Sequence, residues 1–263
     1  MLLFIFTGTA MRRIFLILTF ALASCVEVPL TTRAVLNLDY ASTSLGFRNS
    51  GALSAGRLFL WDQTDQTLVN IQSDIDLPTR PATNPVTLEA SSVQGVTISA
   101  SVGLTDDVHA EIASEVQSNI AFKVEDVVRL NNFQVHNGLS SAYRNLQASG
   151  VNAEASWRIR DSIDDRKRFS YVLIADEITA SSESVTYRDS SSDSTSLTVF
   201  DSAIGEKINV EIPSYSTAKC SGEKVTCYFN VRVFKVRINK NGNLDYHPHG
   251  YNKTELVEAF RKL

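Results

Sequence analysis

The stretch that decides the fold runs from Val96 to Leu130 and reads VTISASVGLTDDVHAEIASEVQSNIAFKVEDVVRL. Apolar or small residues take every second position from Val96 to Leu104, which predicts a strand. The alternation resumes at Val108 and continues to Val128. A single strand over that second part would measure about 70 Å at a rise of about 3.3 Å per residue. An ordinary globular sheet has no place for such a strand.

Two structures can accommodate the second part of this alternation. The first is a helix over residues 106–118, with Thr105 as its N-cap and two acidic residues in its first turn. One face of that helix would carry Val108, Ile112 and Val116. The second is an extended amphipathic hairpin, which resembles the hairpins of oligomeric pore-forming lipoproteins such as the curli secretion channel family. Length favours the helix.

The rest of the chain predicts an α+β fold, predominantly antiparallel β with two or three helices, one of them C-terminal. Further helices are predicted at residues 139–148 and 253–263, the second with Asn252 as N-cap and Glu255 in a capping box. Strands are predicted at residues 57–61, 67–71, 155–160, 169–179, 197–200, 207–212 and 228–238. A phase shift in the alternation of the last strand, from Val233 to Phe234, predicts either a β-bulge or burial on both faces of the strand.

Two segments are predicted to be loops. Residues 76–87 contain Pro78, Pro81 and Pro85, and each proline lacks the N–H that a helix or a central strand needs. Residues 181–196 are rich in serine and predict an exposed hairpin tip or loop. Because binding residues are often carried on loops, both segments are candidates for contact with a partner.

The N-terminal region carries a targeting pattern. Arg12 and Arg13 precede an apolar stretch, residues 14–23, that is about half of the roughly 20 residues needed to cross a membrane. It leads into Leu22-Ala23-Ser24-Cys25, which resembles the lipobox of bacterial lipoproteins. A retained membrane helix is the alternative, since residues 1–10 are also apolar. Such a helix would place the two arginines near the middle of the bilayer, which is costly.

The lipobox resemblance implies how the chain is processed and where in the cell it is sorted. Cleavage would occur before Cys25, and a diacylglycerol would be attached to its thiol. Val26, and not aspartate, follows that cysteine, which implies sorting to the outer membrane. The expected localisation is therefore the cell outer membrane, with the lipid-anchored protein facing the periplasm or the cell surface.

The same resemblance divides the chain. It gives a signal peptide at residues 1–24, a lipidated N-terminus and tether at 25–55, and a β-rich α+β domain at 56–263. That domain could be subdivided near residues 76–87 or 149–154. The chain has 25 lysines and arginines against 29 acidic residues, and loss of two arginines with the signal leaves a net charge of −6. An acidic chain gives no reason to expect a nucleic-acid partner.

The remaining two cysteines predict a disulfide. Cys220 and Cys227 would both be exported to an oxidising compartment, where pairing is the expected outcome. They bracket a short segment that contains a glycine and joins two predicted strands. A staple across a hairpin fits this spacing better than a redox pair, because thiol-disulfide catalysts use Cys-x-x-Cys.

Sequence motifs for catalysis or for cofactor binding are absent, so no cofactor and no catalytic residue are predicted. His247 and His249 are the best candidates for metal ligands, because alternate positions of a strand point to the same side. A solvated loop is the favoured interpretation, since Pro248 and Gly250 interrupt the segment. No metal is therefore predicted.

The expected function is that of a membrane-anchored envelope lipoprotein acting as a non-catalytic interaction or assembly module. Its expected partners are the membrane, through lipid on Cys25, and an envelope protein of unknown identity. One alternative is an oligomeric pore or secretion-channel subunit built from the hairpin at residues 96–130, and a homo-oligomer belongs to that alternative. The other alternative is an envelope hydrolase, but the sequence contains no recognisable catalytic site for it.

Overall fold

The computed structural model describes residues 32–51, 53–90, 93–100, 106–188, 193–194, 196–201, 206–212, 220 and 225–263. The strands are β1 (Thr32–Asn37), β2 (Ser42–Thr43), β3 (Gly46–Arg48), β4 (Leu58–Asp62), β5 (Thr67–Gln72), β6 (Thr79–Ala90), β7 (Thr97–Ala100), β8 (Ile120–Asn132), β9 (Phe169–Thr179), β10 (Ser182–Arg188), β11 (Asp193–Ser194), β12 (Ser196–Asp201), β13 (Glu206–Glu211), β14 (Thr226–Ile238) and β15 (Leu244–Pro248). The helices are α1 (Asp106–Asn119), α2 (Val135–Ala148), α3 (Ala153–Ser156), α4 (Ile159–Asp164) and α5 (Lys253–Arg261).

These strands form two sheets. The smaller sheet has the order β12-β13-β1-β7. The larger sheet has 11 strands along the path β11-β10-β8-β9-β14-β3-β2, with β15 on β14, β4 between β5 and β9, and β6 on β8. Among the described strand pairs, β1 with β13 is parallel and the others are antiparallel. The predicted antiparallel α+β character is confirmed, but the described residues hold five helices where two or three were predicted.

Of the two structures proposed for residues 106–118, the protein has the helix, which is α1. Ile112 and Val116 are buried, one helical turn apart, whereas Ala110 is exposed. The chain changes to period two only at Ile120, where β8 begins. The extended hairpin on which the pore alternative depended is therefore not formed by this segment, and the predicted N-cap, Thr105, lies outside the described residues.

The predicted strand at residues 155–160 is wrong. This segment contains α3 and α4, and the side chain of Asn152 caps the first by accepting a hydrogen bond from the Ala155 N–H at 3.1 Å. Trp157 and Ile159 are both buried. Because polar residues alternate with them, the sequence has the period-two pattern of a strand although the segment is helical. Arg158 lies between the two helices in the left-handed conformation, with φ of 53°.

The loop predicted at residues 76–87 is largely strand β6, and residues 181–196 contain the antiparallel hairpin of β10 and β11, whose tip at 189–192 lies outside the described residues. β6 tolerates Pro81 and Pro85 because it pairs with β8 on one side only, so one edge of its backbone needs no ladder hydrogen bonds. The register between these strands shifts between residues 82 and 88. β10 pairs with β8 and buries alternate residues, Glu183, Val185 and Tyr187. Most of residues 76–87 is thus part of the larger sheet, and the described residues of 182–188 are a paired strand with one buried face.

The predicted tether at residues 25–55 is too long. β1 is an inner strand of the smaller sheet, and its Ala34 and Leu36 are completely buried. Farther along, Phe47 and Arg48 are buried in β3, which pairs with β14 as a strand of the larger sheet. The folded region therefore includes residues from Thr32 onward, and Cys25 with the whole signal lies outside the described residues.

Other predictions are confirmed. β4 and β5 form the hairpin expected at residues 57–71. At the phase shift from Val233 to Phe234 both residues are buried and their pairing with β9 is regular, so the strand is buried on both faces there; the register shifts of β14 lie at residues 226–228 and 230–231. Cys220 and Cys227 form a buried disulfide. Asn252 caps α5 by accepting from the Thr254 N–H at 2.9 Å; Glu255 Oε1 accepts from Asn252 Nδ2 at 3.1 Å, whereas the predicted capping box would have it accept from the Asn252 backbone N–H. None of the described helices is long and apolar enough to span a membrane.

The buried apolar residues form three clusters. The first core lies against the smaller sheet and α1, and includes Leu36, Ile112, Phe122 and Tyr228. The second core lies under α2, α3 and α4, and includes Leu139, Trp157, Tyr171 and Phe234. The third core is covered by α5 and includes Phe47, Phe59, Phe229 and Phe260.

Candidate functional site

The two histidines singled out from the sequence are exposed. His247 lies in β15 opposite Lys235 of β14. His249 follows that strand, and its backbone N–H donates to the Val233 carbonyl at 2.9 Å. Burial, together with the nearby Lys235 charge, lowers the pKa of the His249 imidazole. Within the described part of the chain, no three histidine, cysteine or acidic side chains are grouped to hold a metal ion.

A cleft lies beside these histidines, between the start of α2 and strands β14 and β15. We call it the α2 cleft, and its volume is about 480 Å³. That volume is in the range of pockets that hold small ligands or a few side chains of a partner. The lining residues are Asn132, Phe133, Gln134, Val135, His136, Leu139, Arg232, Val233, Phe234, Tyr246 and Pro248.

Asn132 sets the position at which α2 enters the cleft. Its buried side chain accepts a hydrogen bond from the Thr79 hydroxyl at 2.8 Å and donates to the Ala175 carbonyl. Its backbone N–H donates to Asp176 at 2.8 Å. Two residues later Gln134 takes the left-handed conformation, with φ of 57°, and α2 begins. The last residue of β8 is thus fixed to β6 and β9, and the following turn directs α2 over the second core.

Aromatic rings form the floor of the α2 cleft. Tyr246 meets the ring of Phe234 at 5.5 Å between centroids and the imidazole of His136 at 5.3 Å, both edge to face. Phe234 stacks in turn on buried Tyr171 at 5.6 Å. Such pairs contribute about 0.5–1.5 kcal/mol each beyond the burial of their surface. The cleft therefore has a preformed apolar floor.

Arg232 is the cation in the described lining of the α2 cleft. Arg232 is exposed, and its guanidinium has no hydrogen bond or ion pair within the described residues. A second guanidinium, that of Arg80, lies 4.5 Å from the ring centre of Phe133. Burial raises the pKa of Tyr246 to about 12, so its hydroxyl stays protonated at neutral pH. No aspartate or glutamate occurs among the described residues that line the cleft.

The other side of α2 has the opposite character. A second cavity of about 430 Å³ lies there, and its described lining includes Asp74 and Asp76 but no lysine or arginine. Asn137, Ser141 and Asn145 add polar groups to it from α2. Helix α2 therefore separates a cationic, aromatic cleft from an acidic, polar one.

The α2 cleft combines few reactive groups with a large apolar surface. Its described lining has no serine, threonine, cysteine or carboxylate, and the groups in it that could transfer a proton are His136 and Tyr246. It offers an apolar floor with donors at the rim, which fits an apolar group adjacent to an anion.

Sequence analysis missed this cleft. Its residues come from the end of β8, the start of α2, and the paired strands β14 and β15, which are about 100 positions apart in the chain. Of the lining residues, only Pro248 lies in a segment that sequence analysis had considered as a candidate site, the one that contains His247 and His249. The alternation over residues 228–238 predicted a strand and carried no sign of a cleft, and no element was predicted at Tyr246.

Comparison of the chain with protein-family models, with characterised proteins and with solved structures finds no significant match.

Proposed function

We propose that this chain is an outer-membrane lipoprotein, anchored through Cys25, whose folded domain binds a partner protein without catalysing a reaction. Two independent features support this proposal. The lipobox pattern supports the anchor, and the α2 cleft supports the binding. The observation that carries the binding function is the combination, in one cleft, of an apolar aromatic floor with an unpaired guanidinium and no acidic side chain in the described lining.

The α2 cleft also defines the chemistry of its ligand. The apolar floor favours an aliphatic or aromatic side chain, at roughly 25 cal/mol per Å² of apolar surface buried. Arg232 favours a carboxylate, because a guanidinium can donate two parallel hydrogen bonds to it. The ligand that we propose is an acidic segment of another envelope protein that presents apolar side chains next to carboxylates.

Replacing Cys25 with Ser is expected to release the protein from membranes, because the modified thiol would be lost. The measurement is membrane fractionation of cells that carry the wild-type or the Cys25→Ser protein, with labelling by radioactive palmitate. The expected result is label and membrane retention for the wild type only. Membrane retention of the variant equal to that of the wild type would contradict the anchor.

Binding to the cleft can be tested with defined peptides. A fluorescein-labelled hexapeptide of alternating leucine and glutamate is titrated with the purified domain, and a leucine-lysine hexapeptide is the control. We expect saturable binding of the acidic peptide at least about tenfold tighter than that of the basic one, equivalent to about 1.4 kcal/mol. Equal affinities, or no saturable binding of either peptide, would contradict the proposal.

A further inference from the structure

A smaller cavity adjoins the α2 cleft farther along helix α2. Its volume is about 180 Å³, and we call it the α2 side pocket. Tyr246 lines both cavities and therefore forms the boundary between them. The residues that line the α2 side pocket are Ser140, Tyr143, Arg144, Asn243, Leu244 and Tyr246.

The two cavities follow one another between α2 and β15. On α2, His136 lines the α2 cleft, and Arg144, eight residues later, lines the side pocket. On β15 the order is reversed, because Pro248 lines the cleft and Leu244 lines the side pocket. Eight residues of helix correspond to about 12 Å, and four residues of strand to about 13 Å. Helix α2 and β15 therefore run side by side in opposite directions, and the two cavities form one groove along them.

The α2 side pocket contains its own cation. Arg144 is exposed, its Nε donates to the Ser140 carbonyl of the same helix at 3.3 Å, and it forms no ion pair with a described residue. Burial raises the pKa of Tyr246 to about 12, and the charge of Arg144 acts in the opposite direction, so this guanidinium is close enough to act on the Tyr246 hydroxyl. The described lining of the side pocket has no aspartate or glutamate. The nearby Asp245 points to the other face of β15 and accepts from Asn239 Nδ2 at 3.1 Å.

The register of β14 with β15 gives the separation of the two cations. Phe234 is opposite Pro248, and Ile238 is opposite Leu244 at the side pocket. Arg232 precedes Phe234 by two residues on the side away from the side pocket. Six residues of strand, or about 20 Å, thus separate Arg232 from the level of the side pocket. An extended segment that lies along the groove covers the same distance in about six residues.

From this geometry we infer that the acidic ligand segment lies along the whole groove, with one carboxylate at Arg232, a second at Arg144 and apolar side chains over Tyr246 between them. This inference rests on the proposed binding function and specifies its ligand. The ligand segment carries two acidic residues about six positions apart, with apolar residues at alternate positions between them. Alternate side chains of an extended chain point to the same side, so all of these groups face the groove together.

Two heptapeptides of the same composition test the spacing. Glu-Ser-Leu-Ser-Leu-Ser-Glu, the spaced peptide, has its glutamates at both ends, whereas the isomer Glu-Ser-Glu-Ser-Leu-Ser-Leu has them close together. Both are labelled with fluorescein at the N-terminus, amidated at the C-terminus and titrated with the purified protein. We expect the spaced peptide to bind at least about fivefold tighter than the isomer. Equal affinities for the two peptides would overturn the inference and leave the α2 cleft as a single binding site.

The variant Arg144→Gln tests the second contact. It is expected to weaken binding of the spaced peptide at least about fivefold and to leave binding of the isomer unchanged, so that the preference disappears. Arg237→Gln is the matched control, because Arg237 is exposed on β14 and lines neither cavity, and it should keep the wild-type preference. A preference that persists in Arg144→Gln, or an equal loss in both variants, would overturn the inference. Absence of saturable binding of either peptide to the wild type would instead contradict the proposed function, and the inference with it.

Discussion

Replacing Arg48 with Met is expected to lower the free energy of unfolding by about 3–5 kcal/mol, because it leaves a buried carboxylate without its counter-charge. Arg48 is 2% exposed and Glu183 is 6% exposed. Their ion pair has a distance of 2.9 Å from Arg48 Nη2 to Glu183 Oε2, and Arg48 Nε donates to the same oxygen at 3.0 Å. Guanidinium-induced unfolding of the variant and the wild type measures the loss.

Tyr228 completes this buried cluster. Its hydroxyl donates to Glu183 Oε1, and burial together with the carboxylate charge raises the pKa of Tyr228 well above its ordinary value. The combined change Arg48→Met, Glu183→Leu and Tyr228→Phe removes every partner together and is expected to recover most of the lost stability.

The exposed ion pair of Lys123 with Glu125, at 3.1 Å, is the control for this prediction. Loss of its charge in Lys123→Ala should cost less than about 1 kcal/mol, because solvent screens both groups. A loss for Arg48→Met as small as that of the control would contradict the account of the buried pair.

Phe260→Ala is expected to cost about 3–5 kcal/mol, because it removes a completely buried ring from the third core. Phe260 is one of four α5 residues in that core, with Leu256, Val257 and Ala259. Its ring centre lies 5.1 Å from that of Phe229, 5.5 Å from that of Phe47 and 5.6 Å from that of Tyr40. The vacated space adjoins several strands at once, so local collapse cannot fill it cheaply.

Leu263→Ala provides the matched control, because Leu263 follows the same helix but is 53% exposed. Its expected effect is within about 0.5 kcal/mol. The same unfolding measurement applies to both variants, and comparable losses in the two would show that α5 does not contribute a packed face.

The elements that sequence analysis predicted correctly are those specified by local patterns. Helix α1 followed from the length of the alternating stretch and from Ile112 and Val116 at helical spacing. Helix α5 followed from the cap at Asn252 and its apolar face. The β4–β5 hairpin and the strongly apolar β9 followed from alternation and composition. In each case the buried face is set within a single element, so the order of residues is sufficient.

The elements that were missed depend on distant partners. β6 is a strand in spite of its prolines because β8 leaves one of its edges unpaired. β10 buries Glu183 because Arg48 and Tyr228, far away in the sequence, supply its charge partner and its hydrogen bond. Local composition describes such residues as polar and exposed, and only the assembled sheets show otherwise.

The candidate site was missed for the same reason. Arg232 and Tyr246 lie on separate strands, and His136 lies on α2. No spacing in the chain brings the three together. The register of β14 with β15 and the left-handed turn at Gln134 bring them to one cleft.

The most direct test of the binding function is a charge reversal at Arg232. Arg232→Glu is compared with Arg237→Glu, an exposed arginine on the same strand that does not line the α2 cleft. Titration of both variants with the leucine-glutamate and leucine-lysine hexapeptides is the measurement. The account predicts that Arg232→Glu loses or inverts the preference for the acidic peptide, a change of at least about tenfold, while Arg237→Glu keeps the wild-type preference. An unchanged preference in Arg232→Glu, or an equal loss in both variants, would contradict the assignment of the α2 cleft as the binding site.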